Sequence, residues 1–325
     1  MLLLDAGNLL FKPESTATVQ ERITASTIAE IYGQLPYGAV AVGPYDLPAG
    51  IDFLRETTGA KGFPWLSANV VDDDGLPVFE PFRKISKNGL TIGVIGLTGP
   101  GSVLPGRIQI VDWNLALPPL LQTLSPSCDL IIVLSSLAEE ENRRLMEAHP
   151  AVDILISADR RLGNVHPKIV RNTLTAQVVS QGKYLGKLDI DWQKDRPWSR
   201  DFSQESASLQ EQLALINRRI QRTEIQQQKN GTQERIRLLR EQREQVVARL
   251  AAINSQQDLL AQDPESLNTF SNSFIALSRN QPESRDANEA LAAMQQEIAR
   301  SYVDGQHRDD SSSSCGQSKQ KWQNY

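Results

Sequence analysis

The stretch Asp129-Leu-Ile-Ile-Val-Leu-Ser-Ser-Leu137 is an apolar run whose only charge is at its first residue. A continuous run of this length is typical of a buried strand, since a bilayer-spanning helix needs ~20 residues. Similar runs lie on either side of it, and helical stretches at 18–35 and 139–149 separate them. The predicted strands are residues 2–5, 39–42, 65–69, 83–86, 91–97, 130–135, 154–157, 177–181 and 186–192. Short strands that alternate with helices predict a layered α/β domain over residues 1 to about 195.

The bulk composition excludes several classes of protein. The chain has 325 residues, 40% hydrophobic and 22% charged, which is ordinary for a globular protein of up to two domains. A net charge of −5 gives no long-range attraction to nucleic acid or anionic lipid, so neither partner is predicted. We expect no membrane span. The two cysteines, Cys128 and Cys315, do not form the pattern of a disulfide framework.

A second region begins where the composition changes, at Lys194-Asp-Arg-Pro-Trp-Ser199. Beyond it, apolar residues recur at heptad spacing on both sides of Lys229-Asn-Gly-Thr232. They are Leu209, Leu213, Ile216, Ile220, Ile236, Leu239, Val246, Leu250, Ile253 and Leu260. Because Asn-Gly permits a tight reversal, residues 203–262 are predicted to form an antiparallel coiled-coil hairpin with arms roughly 40 Å long. Its balanced Arg and Glu content favours a protein partner or self-association.

The chain is predicted to end in a third helix and a polar tail. Within residues 263–303, the side chains of Ala287, Leu291, Met294 and Ile298 share one helical face, an apolar stripe that could dock on the hairpin. Residues 304–325 are rich in serine and cannot bury apolar surface, so they are predicted to be disordered.

Several blocks of the first domain resemble, in order, those of the 5'-nucleotidase and UDP-sugar hydrolase branch of the calcineurin-like metallophosphoesterases. The resemblance covers residues 1 to about 193. The blocks are Leu3-Leu-Asp-Ala-Gly-Asn8, Tyr37-Gly-Ala-Val-Ala-Val-Gly-Pro-Tyr-Asp46, Leu66-Ser-Ala-Asn-Val70 with Phe79-Glu-Pro-Phe82 and Gly93-Val-Ile-Gly-Leu97, Asp129 to Leu137, and Val152-Asp-Ile-Leu-Ile-Ser-Ala-Asp-Arg-Arg161. It implies the family's sheet sandwich with flanking helices, whose first strand, carrying an Asp-x-His motif, would precede Met1.

Active members of that family hold two divalent metals between Asp, His and Asn ligands, and the metals generate a hydroxide nucleophile that attacks a phosphoryl group. At the matched positions this chain carries other residues. The bridging Asp is Asn8, the Asn is Pro44, the three metal-binding His are Ser136, Asp159 and Arg161, and the His that stabilises the phosphoryl group is Tyr45, followed by Asp46. The resemblance therefore implies a degenerate site, as in a pseudoenzyme.

These substitutions oppose metal binding. Pro44 and Ser136 remove two ligands, and Arg161 would place a positive charge where a dication belongs. Two unit positive charges ~4 Å apart repel by ~4 kcal/mol at an effective dielectric constant near ~20, and a dication doubles that repulsion. Asn8, Asp46 and Asp159 remain as oxygen donors, so the alternative to no cofactor is one weak Mg²⁺ or Ca²⁺ site. Asp46, like Asp5, is also open to a turn or capping role.

Other polar residues have two interpretations each. Arg160 and Arg161 follow a strand at the sheet edge where α/β proteins bind ligands, so they predict an anion-binding patch or a solvated surface pair. Asn69 fits a loop-closing role, and His149 and His166, each beside a proline, fit solvated positions. Cys128 is predicted to be a buried small hydrophobe.

The tail resembles the entry to a multihaem cytochrome c module, in which Tyr-Val-Gly precedes Cys-x-x-Cys-His. Here the first Cys is Ser312, the second is Cys315 and the axial His is Gly316. Haem could be neither doubly tethered nor ligated by such a motif, so this chain is not expected to bind haem. A haem module beyond Tyr325 is the remaining possibility.

The predicted function is that of a non-catalytic nucleotidase-like scaffold with a helical interaction arm, and the tail adds the hypothesis of an accessory role in a redox or cytochrome assembly. The alternative is an active metal-dependent phosphoesterase acting on nucleotides or phosphate monoesters through Asn8, Asp46 and Asp159. The family resemblance alone suggests an extracytoplasmic location.

Overall fold

The computed structural model describes residues 1–57, 63–101, 106, 108–180, 182–199, 203–225, 232–262, 266–278 and 283–314. The chain forms two compact units. The first comprises Met1–Lys187 and Asn272–Tyr325, and the second comprises Leu188–Ser271. The sequence instead predicted a boundary at about residue 195, with residues 203–262 and 263–303 as separate segments.

The strands are mostly short, as the sequence predicts. They are β1 Leu3–Asp5, β2 Tyr37–Ala41, β3 Trp65–Leu66, β4 Val70–Asp72, β5 Phe82–Lys87, β6 Leu90–Leu97, β7 Ile108–Ile110, β8 Leu130–Ser135, β9 Ile154–Ser157, β10 Val165–Val170, β11 Thr173–Gln177, β12 Tyr184–Asp191 and β13 Thr269–Ala276. All six residues of β8 are buried, as expected for a central strand of a parallel sheet.

Helices lie between and after the strands. They are α1 Val19–Gly33, α2 Ile51–Thr57, α3 Trp113–Leu124, α4 Glu139–Ala148, α5 Ser203–Ile225, α6 Thr232–Gln262 and α7 Arg285–Ser314, with one 3₁₀ turn at Pro44–Asp46. α1 begins at a capping box in which Thr18 and Glu21 satisfy each other's backbone N–H groups. No described helix is long and apolar enough to cross a membrane.

The largest sheet has six strands in the order β10-β11-β9-β8-β6-β5. Within this sheet, the four inner strands β6, β8, β9 and β11 run parallel to one another, and β5 and β10 are antiparallel edge strands. One core lies against this sheet, where Leu117 and Leu121 of α3 and Leu145 of α4 pack on Val133 of β8. The parallel strands place their carboxyl ends at one edge, where ligand sites of α/β proteins form.

A second, three-stranded parallel sheet has the order β1-β2-β3. Its core includes Ala25 of α1, Val40 of β2 and Leu54 of α2, all with no exposed surface. The two sheets are joined where Ala68 N–H donates to the Gly96 carbonyl at 2.8 Å. The predicted α/β class, with sheets and flanking helices, is therefore confirmed.

Several elements differ from the sequence prediction, which did not include α2, β4, β7 or β13. The strand predicted at 177–181 is β11, which ends at Gln177. β10 was missed because His166 and Pro167 interrupt its apolar pattern, and Pro is tolerated there because β10 is an edge strand. α3 was missed because it contains two prolines, although Asp112 caps its first turn.

The last helix also differs from its prediction. α7 packs against α1 of the same unit, where Gln20 Nε2 donates to Ser301 Oγ at 3.2 Å. It continues to Ser314, through residues predicted to be disordered, because extending an existing helix adds one hydrogen bond per residue. Residues 263–303 contain β13 as well, which pairs with β12. Residues 315–325, with Cys315 and Gly316, lie outside the described residues.

The second unit contains α5 and α6. Leu209 and Ile253 are buried against each other, and Glu224 pairs with Arg240 at 3.0 Å, so the helices pack in an antiparallel sense. The predicted turn at 229–232 falls mostly outside the described residues. The base of the unit is aromatic, because Trp198 contacts Trp192 and Phe270 at centroid distances of 5.0 and 6.0 Å.

Candidate functional site

The carboxylate of Asp46 lies at the centre of the site. Asp46 ends the 3₁₀ turn after β2 and has no exposed surface. Its Oδ1 accepts from the N–H groups of Leu9 and Leu10 at 2.7 and 2.9 Å, and its Oδ2 accepts from Asn8 and Gly43 at 2.9 and 2.8 Å. Burial raises the pKa of Asp46, and the four N–H donors oppose that rise. Asp46 therefore fixes the loop that follows β1 to the loop that follows β2.

Asn8 connects the two sheets at their carboxyl edges. Its backbone has a φ of 66°, a left-handed conformation that asparagine tolerates better than most residues. The side-chain Oδ1 accepts from the Tyr45 N–H at 3.2 Å, and Nδ2 donates to the Ala158 carbonyl at 3.2 Å. Both ends of the amide are thus used in positioning loops. A Cβ added at Gly43 would collide with Asn8 Oδ1, so the site also depends on a glycine there.

Asp159 and Arg161 form an ion pair in the loop after β9. Arg161 Nη2 lies 2.6 Å from Asp159 Oδ2 and Nε lies 3.0 Å from Oδ1, a bidentate arrangement. The Asp159 side chain is 6% exposed, whereas that of Arg161 is 71% exposed. The Arg161 guanidinium lowers the pKa of Asp159, and the Glu139 N–H also donates to its Oδ2 at 3.0 Å. Arg161 therefore neutralises Asp159 from the solvent side.

Arg160 points to different partners from Arg161. Its Nη1 donates to the Phe11 carbonyl at 3.1 Å, and its guanidinium lies over the Tyr45 ring, 5.1 Å from the centroid. The side chain thus links the loop after β9 to the loops after β1 and β2. Arg161 is paired with Asp159, whereas Arg160 contacts a carbonyl and a ring, so the two arginines do not form a single patch.

The remaining matched positions, Ser136 and Pro44, are also built into the scaffold. Ser136 follows β8, and its Oγ accepts from the Gly99 N–H at 2.9 Å, which joins the ends of β6 and β8. Pro44 is buried at the start of the 3₁₀ turn. The structure thus gathers Asn8, Tyr45, Asp46 and Arg160 into one bonded network, with Asp159 and Arg161 beside it.

Asp5, at the end of β1, is a further acidic group that the sequence marked only as a possible turn residue. Its Oδ1 accepts from the Gly7 N–H at 2.8 Å. Burial, with a smaller contribution from the charge of Asp46, raises the pKa of Asp5 to about 6. The stacked rings of Tyr32 and Tyr37 lie near it, and burial raises the pKa of Tyr37 to about 12. This cluster brings together residues 5, 32, 37 and 46, a proximity with no signal in local sequence.

A buried polar cluster closes the neighbouring loops. Asn69 is 1% exposed, donates to the Thr98 and Val111 carbonyls at 2.8 and 3.1 Å, and accepts from the Thr98 N–H at 2.8 Å. The Thr98 hydroxyl donates to the Val42 carbonyl at 2.7 Å, which ties β6 to β2. The predicted loop-closing role of Asn69 is therefore confirmed.

The other residues that sequence analysis singled out lie apart from this network. His149 makes an edge contact with Trp113 at 5.9 Å, and partial burial lowers its pKa. His166 makes a similar contact with Phe274 at 5.1 Å. His149 is half-buried, unlike the solvated position that was expected, whereas His166 is exposed on β10, as expected. Cys128 is buried and 2% exposed, as predicted.

The donor set does not fit a divalent metal. Both oxygens of Asp46 accept from two N–H groups each, Asp159 is paired with a guanidinium, and Asn8 Oδ1 accepts from Tyr45. Among the described residues, no group of three or more His, Cys, Asp or Glu side chains is placed to hold a metal ion. No reaction step can therefore be assigned to a metal held by these residues.

Comparisons with known proteins agree with this fold. No family model matches the chain. It is 28% identical over 118 residues to a 5'-nucleotidase of Vibrio parahaemolyticus, covering 34% of this chain and 21% of that protein. It is 24% identical over 198 residues to an uncharacterized metallophosphoesterase of Bacillus subtilis, covering 58% and 42%. A 2',3'-cyclic-nucleotide 2'-phosphodiesterase/3'-nucleotidase of Yersinia enterocolitica is 26% identical over 129 residues, covering 35% and 19%.

Solved structures give the same result for the fold. A 5'-nucleotidase precursor from Thermus thermophilus superposes with a TM-score of 0.57 at 17% identity, over 92% of this chain and 50% of that one. The sulfate thiohydrolase SoxB of the same organism gives 0.52 at 18% identity, over 59% and 36%. The chain spans less than half of each curated relative named above. Its homologues and structural neighbours are 5'-nucleotidase-like, calcineurin-like metallophosphoesterases, and its mixed α/β fold is the one they share.

Proposed function

We propose that the first unit is a non-catalytic relative of the 5'-nucleotidase-like metallophosphoesterases and acts as a scaffold. The observation that carries this proposal is the environment of Asp46. Four backbone N–H groups occupy its two oxygens at 2.7–2.9 Å. A metal at Asp46 would have to displace these donors, and each displaced buried N–H costs ~1–3 kcal/mol.

The Asp159–Arg161 pair supports the same conclusion. A dication at Asp159 would have to displace a guanidinium that binds through two nitrogen atoms. The exposed side chain of Arg161 could swing away, so this barrier is smaller than the one at Asp46. The two carboxylates thus resist a metal for different reasons, one through buried backbone donors and one through a counter-ion.

Metal content after loading tests the proposal. The purified chain is incubated with Mn²⁺ and Zn²⁺, desalted and measured by elemental mass spectrometry. An Arg161→Ala variant is the matched sample, because it removes the guanidinium from Asp159 and leaves Asp46 unchanged. We expect less than about a tenth of an equivalent in both proteins, because a single free carboxylate holds these metals weakly. One or two equivalents in the unaltered chain would support the alternative, a working phosphoesterase, and p-nitrophenyl phosphate and AMP would then be tested as substrates.

The α5–α6 hairpin is proposed as an arm for self-association or for a protein partner. It leaves large apolar side chains exposed along its length, with Ile225 85% and Leu238 48% exposed. Exposed apolar side chains of this size between arginines and glutamates are typical of helix-to-helix contact surfaces.

Light scattering across a range of concentrations tests the arm. We expect a mass above that of one chain that falls on dilution. An Ile225→Glu, Leu238→Lys double variant should be monomeric, whereas Gln221→Glu on the same helix should behave like the unaltered chain. A chain that is monomeric throughout and captures no protein in a pull-down would leave the arm without this role.

An extracytoplasmic location and an accessory role beside a cytochrome remain proposals. The Thermus thermophilus relative is named a precursor, which supports the first. The second rests on the tail sequence around Ser312. Sequencing the gene past the codon for Tyr325 tests it, since a Cys-x-x-Cys-His series is expected there and an immediate stop codon would oppose it.

A further inference from the structure

A cavity of about 540 Å³ lies on the flank of the six-stranded sheet, between α4, β10 and β11. Its walls include Met146 of α4, Val165 and Lys168 of β10, and Thr175 of β11. This volume is within the range of small-molecule sites. Asp159 and Arg161 reach its rim, but Asn8, Tyr45 and Asp46 do not line it. The cavity is therefore separate from the bonded network that joins the loops after β1 and β2.

The floor of the cavity carries hydroxyl groups with unused hydrogen-bonding capacity. Thr175 is 7% exposed, and its hydroxyl makes no hydrogen bond to any described residue. The Ser157 Oγ accepts from Asn142 Nδ2 at 3.2 Å and from the Asp159 N–H at 3.3 Å. Its own hydrogen has no acceptor among the described residues. Both hydroxyls line the cavity, so a bound molecule with an acceptor could gain hydrogen bonds from them.

The charges around the cavity are balanced and paired. Lys168 bridges to Glu139 at 3.2 Å, from β10 to α4. Arg161 bridges to Asp159 and Arg143 bridges to Glu140, each at 2.6 Å. A charged ligand would have to break one of these pairs to gain a counter-ion, whereas a neutral ligand would leave all three intact. The apolar walls, including Met146 and Val165, would contact its body.

We propose that this cavity binds a small neutral molecule with an apolar body and a hydrogen-bond acceptor, which the Thr175 and Ser157 hydroxyls recognise. Binding here needs neither metal nor hydrolysis. The unit would therefore sense or carry a small molecule whether or not its degenerate site has any activity.

Benzamide is the probe, since it is neutral and has an apolar ring and an amide carbonyl. Benzoate and benzylamine are its charged analogues. Saturation-transfer NMR on the full chain gives the three affinities. We expect benzamide to bind at least fivefold more tightly than either analogue. Tighter binding of benzoate or benzylamine, or no binding of benzamide at millimolar concentration, would overturn the proposal.

Substitutions in the cavity test whether benzamide binds there. Thr175→Val removes the hydroxyl at nearly constant shape and should weaken benzamide about fivefold, whereas Thr91→Val on β6 makes the same change outside the cavity and should have no effect. Val165→Trp should abolish binding, since it fills the cavity from an edge strand. Thermal melting of each variant confirms that it folds. Equal affinity for benzamide in the unaltered chain, Thr175→Val and Val165→Trp would place the probe elsewhere and refute the assignment.

Discussion

Asp46→Asn separates a structural carboxylate from a metal ligand. The substitution keeps the size of the side chain but replaces one acceptor oxygen by an NH₂ donor. Whichever oxygen is replaced, two backbone N–H groups lose their acceptor, because Oδ1 serves Leu9 and Leu10 and Oδ2 serves Asn8 and Gly43. The variant should therefore be less stable even when no metal is present.

The magnitude follows from the lost hydrogen bonds. Hydrogen bonds to a charged group contribute ~1.5–3 kcal/mol each, so two of them amount to roughly 3–6 kcal/mol. Asparagine regains part of this because it has no buried charge to desolvate. We expect a net loss of about 3 kcal/mol, or about 9 °C in Tm for a unit of this size.

Thermal unfolding in excess chelator measures this loss. Asp52→Asn is the control, because Asp52 is an exposed acidic residue of α2 and its replacement should change stability by less than about 0.5 kcal/mol. If Asp46→Asn melts with the unaltered chain in chelator but loses a metal-dependent rise in Tm, then Asp46 is a metal ligand and the structural reasoning fails.

Three more substitutions test separate parts of the chain. Asp5→Asn should flatten the pH dependence of stability between about pH 4 and 6. Burial raises the pKa of Asp5 to about 6 from its ordinary value of 3.8, so the unaltered chain loses up to about 3 kcal/mol of stability as pH rises through that window. Equal slopes of stability against pH in urea titrations of the two proteins would refute this. Asn69→Ala should destabilise the first unit by about 4 kcal/mol, because the Thr98 N–H and the carbonyls of Thr98 and Val111 would lose their partner. A fall in Tm of less than about 3 °C would contradict that. Ile253→Ala should lower the free energy of amide-exchange protection in α5 and α6 by ~2–4 kcal/mol, because Ile253 packs on Leu209. Unaltered protection would mean that the two helices do not stabilise each other.

The sequence predicted the central strands well because their signal is local. β8 and β9 coincide with the predicted ranges 130–135 and 154–157, since each is an uninterrupted apolar run. β10 and α3 contain prolines, and only their tertiary positions explain why they form. The packing of α7 on α1 had no local signal either, because the same apolar stripe could have docked on the hairpin or on the sheet unit.

The site also divides into features that the sequence could predict and features that it could not. Matching sequence blocks selected the positions that gather in space, such as Asn8, Asp46 and Asp159. What those side chains do depends on partners far along the chain, since Asp46 accepts from N–H groups 36 to 38 residues before it. The orientation of Arg161 was also beyond the sequence, because its guanidinium could equally have pointed into the site or, as observed, toward Asp159.

The network at Asp46 also bears on what metal binding at this site would require. Replacing Arg161 alone would remove the guanidinium from Asp159, but both oxygens of Asp46 would still accept from four N–H groups of two loops. Asn8 would still bridge Tyr45 and Ala158 through both ends of its amide. A second metal ligand could be recruited only by rearranging those loops, which would expose buried donors at ~1–3 kcal/mol each. The hydrogen bonds that stabilise this site therefore also oppose its conversion to a metal centre, and no single substitution removes that opposition.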